Sequence, residues 1–326
     1  MKILSIIGTR PQAFKLDPKL SDVIVNTGQH WDECMMGDHL KEMKCKPKYN
    51  LGCTSEEIGK MIDKLREVLR KEKPDVVLVY GDTYSTAAGA YAASLENIPI
   101  GHVEAGVRSH DKSMPEETNR VMADVLAKWK FAPTHNAMKN LLEEGLGHEA
   151  YHITDPLYWS LNFFLPLKKA KDYGTYIFTT IHRRENLEPE NLKQIIEGLG
   201  MIPEKVYFPL HPHTKRILKK YYIKIPKNIE IVKPQLRKHT LERIFNSKMV
   251  ITDSGGIQRE AYWILKHSLV IRPVTEWVEI QERGWATLVP ANAIRIAEAV
   301  KEYKHELMPE LPRGNPYERI REILEV

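Results

Sequence analysis

Six short segments carry the side chains able to do chemistry, and each sits at or near the end of an apolar run that reads as a strand. Three are acidic. Gly81-Asp82-Thr83, Gly101-His102-Val103-Glu104-Ala105-Gly106-Val107-Arg108 and Pro115-Glu116-Glu117-Thr118-Asn119-Arg120 would bring Asp82, Glu104 and Glu116 to one edge of the first half of the chain. Carboxylates crowded together separate in pKa, so one can hold a proton while its neighbour accepts one. Each also has a plainer reading: Asp82 as a helix N-cap, Glu104 as the structural partner of Arg108, and Glu116 as the closing residue of a capping box opened by Ser113.

The other three segments suit anions. Gly8-Thr9-Arg10-Pro11 offers the donor fork of Arg10, or simply a surface arginine in a loop. Thr180-Ile181-His182-Arg183-Arg184-Glu185-Asn186 sets His182 beside two arginines, which favours an anion site over an incidental histidine. Thr252-Asp253-Ser254-Gly255-Gly256-Ile257-Gln258-Arg259-Glu260 reads as strand, glycine turn and helix start. There, backbone N–H groups can grip a diphosphate, and Glu260 one turn on can accept from a ribose hydroxyl pair. A βα turn that needs glycine for its backbone alone is the other reading.

Other classes find less support. No G-x-G-x-x-G follows the first strand and no G-x-x-x-x-G-K-[ST] occurs, which argues against a dinucleotide site and an ATPase. His211-Pro212-His213 lacks further ligands at metal spacing, and Cys34, Cys45 and Cys53 form no C-x-x-C pair, so no metal site and free thiols in a reducing cytoplasm are expected. Net charge is +5 from 48 basic and 43 acidic residues that are scattered rather than grouped, so no nucleic-acid partner is expected. No apolar run approaches the roughly 20 residues that span a bilayer, and Met1–Ile7 is short and runs straight into a strand pattern, so no signal peptide is expected.

Strand and helix patterns alternate throughout, which predicts parallel α/β architecture. Buried strands are expected at Ile3–Ile7, Val23–Val25, Val76–Tyr80, Ile100–Val103, Tyr176–Thr179, Val206–Leu210, Val250–Ile251 and Leu269–Ile271. Thr54-Ser55-Glu56-Glu57 reads as a capping box before the helical stripe Ile58, Met61, Ile62, Leu65, Val68 and Leu69. The pattern weakens over Pro156–Gly174, taken as a linker. The expected division is a front domain at residues 1–160, a rear domain at 174–308, and a tail and helix at 309–326 that return toward the front domain.

Together these motifs resemble the non-hydrolysing UDP-N-acetylglucosamine 2-epimerase family. The likeness runs in order through Gly8–Lys15, Thr27-Gly28-Gln29-His30, Tyr80–Thr83, His102–Ser109, Pro115–Arg120, His182–Asn186 and Thr252–Ala261. It implies a GT-B arrangement, two Rossmann-like domains with parallel sheets facing across a cleft, and a cytoplasmic homodimer acting on a UDP-sugar without cofactor. By motif it assigns Asp82, Glu104, Glu116 and His182 to catalysis. It assigns Arg10, Lys15, Gln235, Ser254, Gly255, Gly256, Glu260 and Glu276 to substrate contacts. The implied reaction inverts carbon 2 by eliminating UDP to a 2-acetamidoglucal and adding it back. Gln29, His30 and His211 match a second, activating substrate site, at which Asp32 is not the usual residue.

The chain departs from the family's commonest form at Gln12 (usually glutamate), Trp277 (usually a substrate-contacting arginine) and Thr240 (usually phenylalanine). Thr275-Glu276-Trp277-Val278-Glu279 and Pro209-Leu210-His211-Pro212-His213-Thr214 look more like a branch acting on UDP-diacetamido-glucuronic acid. A glycosyltransferase of the same fold, a hydrolysing relative and a non-catalytic nucleotide-sugar binder are the competing readings.

Overall fold

Aliphatic and β-branched runs become strands buried on both faces, as parallel sheets require. The computed structural model describes residues 1–29, 37–302 and 307–325. Two units form: Met1–Ser160 with Pro312–Val326, and Leu161–Leu311.

The first unit holds β1 (Ile3–Ile7), β2 (Val23–Asn26), β3 (Tyr49–Asn50), β4 (Val76–Tyr80), β5 (Ile100–Val103), β6 (Trp129–Ala132) and β7 (Ala150–His152), in the order β3-β2-β1-β4-β5-β6-β7. The second holds β8 (Tyr176–Thr180), β9 (Lys205–Pro209), β10 (Ile229–Val232), β11 (Met249–Thr252), β12 (Ser268–Ile271) and β13 (Ala286–Val289), in the order β10-β9-β8-β11-β12-β13. All neighbours run parallel. Strand order reverses between β1 and β4 in one sheet and between β8 and β11 in the other. Connections diverge at such a point and leave a crevice at the carboxyl ends. The loops after β1 (Gly8), β4 (Asp82), β8 (His182) and β11 (Ser254) all open there.

Register then aligns the chemistry. Tyr80 pairs with Val103, so Asp82 and Glu104 emerge from the ends of adjacent strands. Thr180 pairs with Thr252, and their hydroxyls bond at 2.7 Å, which levels the His182 and Ser254 loops. Behind the first sheet, the helix Ile58–Glu72 buries Met61, Leu65, Val68 and Leu69, the stripe read from the sequence. Beside it the helix Tyr84–Leu95 is alanine-rich because it is buried nearly all round; a Cβ on Gly89 would stand 2.9 Å from Ile6 Cδ1.

Four local expectations are corrected, at Ser113, Thr54, Asp82 and the start of the linker. Ser113 does not cap the helix Pro115–Leu126: the N-cap is Met114 with no side-chain bond, and the Ser113 hydroxyl turns to Asp111 at 2.6 Å. The helix after Thr54 starts only at Ile58, where the Thr54 N–H reaches back to the Glu57 carboxylate at 3.0 Å. Asp82 is not a cap either; Thr83 is, accepting from the Thr86 N–H at 3.4 Å. The stretch taken as a linker begins as a helix, Pro156–Leu161. The last helix, Pro316–Leu324, belongs to the first unit, where Tyr317, Ile320 and Leu324 are buried and Arg321 donates to the Lys19 carbonyl at 3.0 Å.

Candidate active site

In the first unit the carboxylates meet cations. Lys15 Nζ lies 2.8 Å from Glu104 Oε1, and both side chains are buried. Glu104 stands in the left-handed region at φ 76°, a costly backbone for a residue with a side chain, fixed by its own N–H and that of Ala105 on the Phe131 carbonyl. Gly81 makes room for this pair: it has φ 65°, and a Cβ there would lie 3.2 Å from Lys15 Nζ and 3.4 Å from Glu104 Oε1. Next to it, the Asp82 carboxylate pairs with the buried Arg120 while staying 26% exposed, within reach of a ligand. Burial pushes the Asp82 carboxyl up, but Arg120 and Lys15 outweigh it, against Glu104, and hold it below the usual carboxylate range. Asp82, Glu104, Lys15 and Arg120 thus form one charge cluster.

Supporting groups fix this cluster. Glu117 accepts from Ser109 N at 2.9 Å, Ser109 Oγ at 2.8 Å and His110 N at 3.0 Å, and pairs with Arg120 at 3.1 Å. Asn119 donates to the Asp82 carbonyl at 3.0 Å. Gln12 joins the two crevice loops: its Oε1 accepts from Gly8 N at 2.8 Å and Thr9 N at 3.1 Å, while its Nε2 donates to the Tyr80 carbonyl at 2.7 Å. An ionised glutamate, which only accepts, could not make that last bond. His102 bridges the Gly81 carbonyl at 2.7 Å and Asp124 at 2.6 Å, all buried.

Glu116 stands apart: half-buried, it has no hydrogen-bond partner among the described residues, and its neighbour Glu117 is the carboxylate tied to Arg120. Arg10 is half-buried at the start of the helix Arg10–Phe14, and burial lowers its pKa.

In the second unit Asp253 is the organiser. Fully buried, it accepts from His182 N at 3.0 Å, Arg183 N at 2.9 Å and Asn186 Nδ2 at 3.2 Å, and lies 3.1 Å from His182 Nδ1. The His182 ring, 46% exposed, thereby has one nitrogen anchored and the other turned to no partner among the described residues. Burial raises the Asp253 carboxyl, but His182 and the two backbone donors overcome this and hold it at about 2. The folded value is depressed, so its stabilising contribution is complete above the unfolded value of about 3.9 and is lost as pH falls toward about 2. Asp253→Asn should therefore be less stable at neutral pH and show a flatter loss of stability between pH ~4 and ~2. Urea titrations across that range check this; an unchanged acid slope would contradict it.

Ser254 caps the helix Gly255–Trp263 through Ile257 N at 3.4 Å. A Cβ on Gly256 would meet only Ser254 Oγ, at 3.9 Å, so the backbone there is open to approach. Glu260 pairs with buried Arg237 at 2.8 Å. Gln235 donates to the Tyr207 hydroxyl at 2.7 Å, and its buried Oε1 has no partner among the described residues. Glu276 pairs with Arg272 at 2.6 Å and Arg183 at 3.7 Å. Gln29 is occupied by Ser85 N at 2.9 Å, and His211 caps the helix Pro212–Lys220. His30 and Asp32 lie outside the described residues.

Sequence reasoning missed the organising roles of Arg120, Glu117, Asp124, Asp253, Arg237 and Arg272. The Glu117–Arg120 spacing of three on one helix was the one local signal available.

Comparison with known proteins agrees along the whole chain. The family model described as UDP-N-acetylglucosamine 2-epimerase matches residues 12–325. A UDP-N-acetylglucosamine 2-epimerase homolog of Methanococcus maripaludis is 40% identical over 93% of this chain and 92% of its own. The UDP-2,3-diacetamido-2,3-dideoxy-D-glucuronate 2-epimerase of Pseudomonas aeruginosa is 38% identical over 92% of each chain. Among solved structures, the Methanocaldococcus jannaschii UDP-GlcNAc 2-epimerase, crystallised in complex with UDP-GlcNAc and UDP, matches at TM-score 0.92 and 35% identity, covering 100% of this chain and 99% of that one. With its sheets, its motif loops and its sequence all agreeing, the chain belongs to the UDP-N-acetylglucosamine 2-epimerase family.

Proposed function

We propose that the enzyme inverts carbon 2 of a UDP-linked 2-acetamido sugar by losing and regaining UDP. A base takes the carbon 2 proton, the electron pair of that C–H bond forms the C1=C2 double bond, and UDP leaves carbon 1 with the pair of the C–O bond. Re-addition of UDP, with a proton delivered to the other face, completes the inversion. The observation that carries this reading is the Asp82–Glu104 pair with its two cations at the crevice of the first sheet. Two faces of one carbon need two proton-handling groups, and Asp82, held ionised, is fit to accept. Lys15 and Arg120 balance their charge. Arg10 and Glu116 belong to the same candidate set by motif.

The second unit suits the leaving group. Its open helix start at Ser254, Gly255 and Gly256, with His182 fixed by Asp253, offers preorganised stabilisation for a departing diphosphate. The unused acceptor of Gln235 suits an imide N–H of the base, and Glu260 suits ribose hydroxyls. Two sugars fit this scheme, UDP-N-acetylglucosamine and UDP-2,3-diacetamido-glucuronate; the relative from Pseudomonas aeruginosa favours testing the second from the start. A cytoplasmic homodimer serving polysaccharide synthesis completes the reading, and sedimentation tests the oligomer.

Incubation with each substrate in deuterated water, followed by NMR, should show deuterium entering carbon 2 and a mixture of epimers. Free sugar as the main product would make the enzyme a hydrolase. Transfer to an acceptor without exchange would make it a glycosyltransferase, and binding without turnover a nucleotide-sugar carrier.

A further inference from the structure

Residues 205–229 hold seven basic side chains and no acidic one, in a chain whose whole net charge is +5. Basic residues that are scattered elsewhere are grouped here. The stretch folds into β9, the helix Pro212–Lys220 and the loop that leads to β10. The acids that flank it are already paired, Glu204 with Lys248, and Glu230 with Lys205 at 2.9 Å. Lys215, Arg216, Lys219, Lys220, Lys224 and Lys227 are left, all exposed and none ion-paired among the described residues. On the neighbouring helix Pro189–Gly200, the exposed Lys193 and Glu197 carry one charge of each sign.

This arrangement is costly for the helix itself. Thr214 and Leu218 are its buried residues, so Lys215 with Lys219, and Arg216 with Lys220, form two rows on its outer side. Like charges four residues apart repel and weaken a helix. The helix dipole eases this only for Lys219 and Lys220, in the last turn.

Aromatic rings stand among the cations. Tyr221 is exposed, with Lys220 Nζ 5.2 Å from its ring centroid, and Tyr222 is 90% exposed. Tyr222 takes φ 53° just past the helix end, where glycine or asparagine is the usual residue. A ring displayed this way adds no burial to offset that strain. Met201, 57% exposed, joins the same surface. A Cβ on Gly200 would stand 2.5 Å from Pro226 Cγ, and Asn228 ties the loop to the Leu199 and Ile202 carbonyls at 2.9 Å each.

The helix runs back from the carboxyl end of β9 toward the start of β10, so Tyr221 to Lys227 lie at the end of the sheet where strands begin. The loops of His182 and Ser254 open at the opposite end. We propose that the strand-start end of the second unit docks onto the surface of an anionic lipid bilayer. A polyanion in water would need the cations alone. Two exposed tyrosines and a methionine beside them fit a partner with an apolar layer beneath its charge. The contact is with the bilayer surface, since among the described residues no helix is long and apolar enough to cross a membrane. Docked so, the crevice loops of this unit stay free.

Co-sedimentation of the full chain with vesicles tests the assignment. The chain should pellet with phosphatidylcholine vesicles that contain phosphatidylglycerol, stay in solution with phosphatidylcholine alone, and be released by high salt. A triple variant, Lys219→Ala with Lys220→Ala and Lys224→Ala, should partition onto the anionic vesicles about 100-fold less. Tyr222→Asn suits the left-handed backbone, so it should melt no lower than the parent chain and yet bind several-fold more weakly. A parent chain that ignores anionic vesicles overturns the proposal, as does a folded triple variant that binds them like the parent. Equal binding to phosphatidylcholine alone would be indiscriminate adsorption and overturn it too. If poly-glutamate binds the parent chain as tightly as the vesicles do, and Tyr222→Asn alters neither, the surface serves an acidic protein and the lipid assignment falls.

Discussion

Glu104→Gln is expected to lower the rate of exchange at carbon 2 by about 10²–10⁴-fold, the range for loss of one general acid–base group. The change is nearly isosteric. An amide oxygen can still accept from Lys15, and the left-handed backbone at 104 is fixed by the Phe131 carbonyl rather than by the side chain. What disappears is the capacity to take and return a proton. Affinity for UDP should stay close to that of the parent chain, because the proposed diphosphate grip lies around Ser254 in the second unit. In kinetic terms kcat and kcat/KM fall together, the pattern of an interaction made only in the transition state. Asp82→Asn should behave alike, since Arg120 retains Glu117 as a partner. Exchange at the parental rate in both variants would remove these carboxylates from the chemistry.

The strands that carry the crevice loops were legible because they are buried on both faces. β4 reads as an unbroken apolar run, β1 is interrupted only by Ser5 and β5 only by Gly101 and His102, and each delivers its motif residue just past its end. Other strands were hidden by particular residues. Lys130 interrupts β6, yet it is buried, its ammonium folded onto the carbonyls of Ala127 and Lys128. Glu230 lies exposed on β10, an edge strand that needs only one apolar side. Asp82 and Glu104 were findable because each follows a strand. Their partners were not, because what pairs with them depends on side-chain direction. Glu116 and Glu117 differ by about 100° around a helix, and nothing local says which one meets Arg120. Asp253 shows the opposite error. It lies inside the most telling motif, where the eye goes to the glycines, yet it is the buried anion that fixes His182 and Arg183.

Asp124→Asn is expected to give the largest loss of stability. Asp124 is fully buried and faces two cationic or proton-donating side chains, with His102 Nδ1 at 2.6 Å and Arg108 Nη1 at 2.7 Å, and it accepts the Gly106 N–H at 3.0 Å. Burial raises its carboxyl, but His102, Arg108 and the Gly106 amide outweigh this, and the net pKa is lowered, so the site is built for the ionised form. An amide of the same shape brings two N–H donors into a pocket already full of donors and removes the charge opposing Arg108. Breaking a buried pair on one side costs about 3–5 kcal/mol, since the remaining partner stays desolvated. For a unit of this size that lowers the melting temperature by roughly 10 °C. The loss should extend to activity, because His102 holds the Gly81 carbonyl and with it the loop that presents Asp82. Arg108 keeps Glu144 at 2.6 Å, so the effect should centre on His102 and the Asp82 loop. Thermal melts with exchange measured well below the transition check both parts. A variant that melts with the parent chain would mean that His102 and Arg108 find other partners and that the Asp82 loop is held by Asn119 and Arg120 alone.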